Sequence, residues 1–166
     1  MNKIKVLFFI HDLGNGGAEK VLVNLANNLD QSQFDVYLTV IFGGGVNEQF
    51  LDSHVHYKAL FPRMIPGNSV LMKLFSPQKL HQLFVKDHYD IEAAYLEGPS
   101  TRVISGCTDK ETRLICWIHS NPSSLVEISS SFRSENEVIK AYSLFDKIVV
   151  VSKQIKDSFT SFIPAY

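Results

Sequence analysis

Four short stretches of this 166-residue chain carry residue types that can do chemistry, and each follows an apolar run. The first is His11-Asp12-Leu13-Gly14-Asn15-Gly16-Gly17-Ala18-Glu19. Glycines let a ligand approach backbone amides without meeting a Cβ, and amides freed at a helix start carry a partial positive charge suited to phosphate. No Gly-Lys-Ser/Thr closes the turn, so it is not a Walker loop. Glu19 stands where a dinucleotide fingerprint would place its third glycine. A carboxylate there suits the helix dipole but opposes a bound anion, so the spacing fits both a phosphate cradle and a tight strand-to-helix turn without a ligand.

The second stretch is Trp117-Ile118-His119-Ser120-Asn121-Pro122. Ligands of open α/β sheets bind just beyond the carboxyl ends of strands, where a His can exchange hydrogen bonds or protons. A His at that place can equally cap local backbone. In the third, Tyr95-Leu96-Glu97-Gly98-Pro99-Ser100, Glu97 can bind a hydroxyl or a basic group, or remain a solvated loop carboxylate. The fourth, Val151-Ser152-Lys153, reads as a helix cap, because no glycine elbow surrounds Ser152.

These stretches need strands before them and helices after them, and the chain supplies both. Short β-rich runs at 5–10, 35–42, 55–60, 91–96, 113–118 and 147–151 alternate with helical patterns at 17–29, 46–52, 77–86, 101–107, 129–144 and 153–162. That alternation predicts a mainly parallel sheet between helical layers, a three-layer Rossmann-like α/β fold. Val6 to Ile10 lacks any polar interruption, as a strand covered on both faces requires. Ala18, Val21, Leu22, Leu25, Ala26 and Leu29 then recur at helical spacing. Ser76-Pro77 and Ser152 read as helix starts, and 62–68 as a loop. The length fits one domain over 1–166.

Sixteen basic against seventeen acidic residues, with no long basic run, argue against nucleic acid as a partner. Cys107 and Cys116 have neither metal-ligand spacing nor the density of a disulfide scaffold. His54 with His56, and His81 with His88, lack a third ligand in the sequence, so no metal is expected. Arg63 and Arg102 have the chemistry to reach a sugar or phosphate. The apolar block at the start is too short for a signal peptide, and no segment can span a bilayer. The chain reads as cytoplasmic, with peripheral contact at the inner face of the membrane still open to it.

Gly14 to Ala26 resembles the first turn and helix of the GT-B glycosyltransferases of family four. Ala94-Tyr95-Leu96-Glu97-Gly98, Trp117-Ile118-His119-Ser120 and Asp146 to Ser152 extend that similarity, in the family's order, over essentially the whole chain. The resemblance implies the N-terminal, acceptor-side half of a GT-B fold in a retaining enzyme. Such an enzyme moves a sugar from a nucleotide-sugar donor to a cell-surface glycan or a lipid-linked acceptor. It assigns Gly16 and Gly17 to the donor diphosphate and His119 to the reacting centre beside the donor sugar. Glu97, Ser120 and Asn121, with the loop 121–125, fall on the acceptor side. No cofactor or metal is implied. The C-terminal nucleotide-sugar-binding domain is absent from these residues, so the chain alone is expected to be inactive. The alternatives are a non-catalytic Rossmann-like binding module, a phosphate-binding flavodoxin-like domain or one subunit of a two-chain transferase.

Overall fold

The apolar run at the start of the chain becomes β1 (Ile4–Ile10), and five strands follow: β2 (Phe34–Phe42), β3 (His56–Phe61), β4 (Ile91–Ala94), β5 (Arg113–Ile118) and β6 (Lys147–Val150). In a computed structural model that describes residues 2–163, they form one parallel sheet in the order β3-β2-β1-β4-β5-β6. The helices are α1 (Gly17–Asn28), α2 (Asn68–Lys73), α3 (Pro77–Phe84), α4 (Pro99–Ile104), α5 (Leu125–Ser129), α6 (Glu135–Tyr142) and α7 (Lys153–Phe162). Successive strand residues point to opposite faces. Val6, Phe8 and Ile10 therefore join Leu22, Val23 and Ala26 of α1 in one core. Leu7 and Phe9 join a second core with residues of α2 to α7. The result is the three-layer Rossmann-like arrangement that the alternating pattern predicts.

Chain direction through the sheet reverses between β1 and β4. Strands β2 and β3 lie on one side of β1, whereas β4, β5 and β6 continue on the other. Loops leaving the carboxyl ends of β1 and β4 diverge there and open a crevice, the usual place for a ligand in such sheets. All four candidate stretches follow the carboxyl ends of strands.

Local structure departs from the sequence expectation in three places. The helix expected at 46–52 is a single 3-10 turn, Glu48–Phe50. The helix expected at 129–144 forms only over Glu135–Tyr142, where the Ser134 side chain accepts from the Glu137 amide at 3.2 Å and starts α6, and the short α5 before it is not expected from the sequence. The loop expected at 62–68 runs into α2, which Gly67 opens at φ 75°. The caps at Ser76 and Ser152 form as expected, each accepting an amide hydrogen bond at 3.2 Å.

Two charged groups sit inside the second core. Arg102 is fully buried. Its guanidinium donates to the carbonyls of Met72 and Phe75, each at 2.8 Å, and to the Glu137 carboxylate at 3.1 and 3.2 Å. That enclosure takes Arg102 out of reach of a sugar or phosphate and corrects the sequence expectation. Glu92 on β4 pairs with His81 Nε2 at 2.7 Å. Burial works against charge on that ring, but hydrogen bonds to Cys107 and Glu92 push its pKa up to about 9.

Candidate functional site at the sheet switch point

The first turn is shaped by Asp12. One of its carboxylate oxygens accepts from the Gly14 amide at 2.8 Å and the other meets His11 Nδ1 at 2.6 Å, the local bonding of an Asx turn. A second glycine run, Gly43-Gly44-Gly45, backs the turn from the end of β2. A Cβ at position 45 would collide with the Leu13 carbonyl, and Gly44 has φ 89°. Asn47 completes the support: its amide donates to the Leu13 carbonyl at 3.0 Å and its side chain to the Gly14 carbonyl.

Gly16 is the N-cap of α1 in an extended conformation, with no side chain to cap the helix. Gly17 is the first helical residue, and nothing lies within 4 Å of where its Cβ would be. The Glu19 carboxylate folds back over Gly16, so that a Cβ there would collide with it. The turn thus has open space at the Cβ position of Gly17 and a flexible carboxylate over Gly16. An incoming anion has to displace Glu19.

The end of β5 lies across the switch point from this turn. Oε1 of Glu97 accepts three hydrogen bonds: from the His119 amide at 2.7 Å, the Ser120 amide at 2.6 Å and the Ser120 hydroxyl at 2.8 Å. The loop after β4 therefore holds the loop after β5. The His119 ring packs on Tyr95 with centroids 4.9 Å apart. Its Nε2 is buried and has no hydrogen-bond partner among the described residues. Burial lowers the His119 pKa below its ordinary value, against opposing contributions from the Glu97 and Glu19 charges and the Tyr95 backbone. The ring is consequently neutral at pH 7. Glu19 also raises the Tyr95 pKa, behind the larger effect of burial, so the field of the first turn reaches both aromatic rings.

The structure brings Gly16, Gly17, Glu97, His119 and Ser120 to the carboxyl end of the sheet, and Asn121 follows as an exposed loop residue. Cavities lie on either side: about 310 Å³ lined in part by Glu97 and Ser120, and about 560 Å³ beside Gly16, Lys20 and Asn47. Ser152 keeps to capping. Sequence reasoning missed Gly45 and Asn47, whose contacts are tertiary. It quoted Asp12 without its role, although an Asp two residues before a Gly is a local turn signal.

Residues 15–165 match the family model described as Glycosyltransferase Family 4. The chain belongs to this family. No curated protein matches this family-4 chain. Among solved structures, it is similar to a Listeria monocytogenes protein described as a UDP-N-acetylglucosamine 2-epimerase, at 13% identity and a TM-score of 0.57. The match covers 97% of this chain and 43% of that one, so the family-4 chain spans less than half of that protein's length. At that identity the likeness is one of fold. Among the described residues, no helix is long and apolar enough to cross a membrane.

Proposed function

We propose that this family-4 chain is the acceptor-side half of a retaining glycosyltransferase, one that moves a sugar from a nucleotide-sugar donor to a cell-surface glycan or lipid-linked acceptor. The observation that carries the reading is the pairing, across one switch point, of a glycine-opened helix start with a buried histidine whose Nε2 has no partner among the described residues.

Breaking the bond between the donor's anomeric carbon and its phosphate oxygen leaves negative charge on the diphosphate. Amides at the start of α1, reached over Gly16 and Gly17, oppose that charge once Glu19 swings away. His119, uncharged, offers Nε2 to a donor hydroxyl beside the reacting carbon, and Glu97 keeps its backbone in place. Ser120 and Asn121 then face the acceptor. The nucleoside is held by a second, C-terminal domain outside this sequence, and the reaction uses no metal or cofactor. A cytoplasmic setting, with peripheral membrane contact where the acceptor is a lipid, suits such a substrate pair.

The test is sugar transfer, detected by mass, in a protein that joins this chain to its second domain, against a panel of nucleotide sugars. His119→Ala is expected to lower turnover by roughly 10²-fold, the effect of removing one preorganised polar group. Gly16→Val is expected to abolish donor use while costing no more than the weaker helix cap, about 1 kcal/mol. Unchanged kinetics in both variants would remove the switch-point crevice from the reaction.

A further inference from the structure

The second core holds a trio that sugar transfer leaves unused. His81 on α3, Glu92 on β4 and Cys107 just beyond α4 place a ring nitrogen, a carboxylate oxygen and a sulfur within 4.8 Å of one another. No other group of three or more His, Cys, Asp or Glu ligands gathers this way among the described residues. Glu92 is the second residue of β4, and Cys107 follows the end of the helix that runs back from the crevice. The trio therefore lies toward the amino-terminal ends of the strands, away from Gly16 and His119.

We propose that His81, Glu92 and Cys107 form a zinc site that clips α3, β4 and the end of α4 together. Imidazole nitrogen, carboxylate oxygen and thiolate sulfur are the three donor types that zinc accepts. A mixed nitrogen, oxygen and sulfur set favours a borderline-soft cation over magnesium or calcium. Zinc–ligand bonds of about 2.0–2.3 Å in a tetrahedron separate ligand atoms by roughly 3.3–3.8 Å. The distances present bracket that range: 2.7 Å from His81 Nε2 to Glu92 Oε2, and 4.0 Å from Cys107 Sγ to Glu92 Oε1.

Charge does not oppose the ion, although binding must displace the proton of the His81 ring along with that of the thiol. The Glu92 side chain is 3% exposed and that of His81 13%. A zinc dication with one carboxylate, one thiolate and a neutral imidazole forms a complex of zero formal charge, which an apolar core tolerates. Cys107 is only partly buried, giving the ion a path in and leaving a fourth position for water. The other cysteine, Cys116, is fully buried, and burial pushes its thiol up to about 12, so it does not compete.

The test uses the full 166-residue chain, stripped with a chelator and titrated with cobalt(II) or zinc. The expected result is one thiolate-to-cobalt charge-transfer band that saturates at a single equivalent and vanishes in Cys107→Ser, a variant that keeps the His81–Glu92 pair and hence the fold. Glu92→Gln is expected to weaken cobalt binding by at least roughly tenfold. Zinc should slow alkylation of Cys107 by about tenfold or more, since bound thiolate is no longer free to react. A wild-type titration without the band, a band that survives in Cys107→Ser, or cobalt affinity unchanged in Glu92→Gln would overturn the site.

Discussion

Glu97 resembles a substrate ligand in sequence, yet its Oε1 is committed to three donors of the protein itself. That makes it a positioning residue for His119, and the two roles separate by substitution. Glu97→Gln keeps an oxygen acceptor and should leave both stability and turnover within a few-fold of wild type. Glu97→Ala strands the His119 and Ser120 amides and should cost about 1–2 kcal/mol in urea unfolding, with turnover falling alongside. If Gln abolished turnover while leaving the urea midpoint intact, Glu97 would instead carry charge to the substrate. That His119, Glu97, Gly16 and Gly17 gather at one end of the sheet was legible in the sequence, because all follow apolar strands. What holds them was not. Asn47 and Gly45 reach the first turn from a different strand's loop, and a contact across the fold leaves no periodic trace.

At the scale of elements, α2 has little apolar burial to support it. Val70, Leu71 and Leu74 are exposed along it, while Arg102 grips the Met72 and Phe75 carbonyls at its end. A cation at a helix C-terminus also suits the dipole. Arg102→Met should therefore destabilise the chain by about 3–5 kcal/mol, since it leaves two carbonyls without their donor and Glu137 with the Arg133 amide alone. Burial pushes the Glu137 carboxyl up, but hydrogen bonds from Arg102 and Arg133 outweigh it and hold the carboxyl below its ordinary value. A depressed carboxylate stabilises the fold above its unfolded pKa, about 4.3. That contribution is lost as pH falls through the lower folded value. Urea midpoints measured against pH should show this acid loss in the wild type and a shallower one in Arg102→Met. The sequence missed α2 because prolines and Gly67 mark a turn, whereas the helix beyond them is fixed by an arginine some thirty residues away, as the Arg102–Met72 bond shows. The helix expected from residue 129 begins at Glu135 instead, where the Ser134 side chain caps it, and α5 is a separate short helix before it.

For the whole molecule, the alternation of strands and helices was readable from end to end, because a sheet covered on both faces needs apolar strands and one-sided helices throughout. Strand order was not readable, since periodicity does not say which strands are neighbours. That order puts the first turn and His119 at one end of the sheet while both sheet faces are already covered. Stability and the proposed sugar transfer consequently divide. The two cores are internal to these 166 residues, so the chain by itself should unfold in one cooperative transition on heating. On the proposed reading the nucleoside is held by a second domain, so the same preparation should turn over no nucleotide sugar above background. Adding a separately produced C-terminal domain should restore transfer in proportion to complex formed, and Gly16→Val should block that restoration without weakening the complex. Robust turnover by the chain alone would overturn the division, because a complete donor site would then have to lie within the residues that build the sheet.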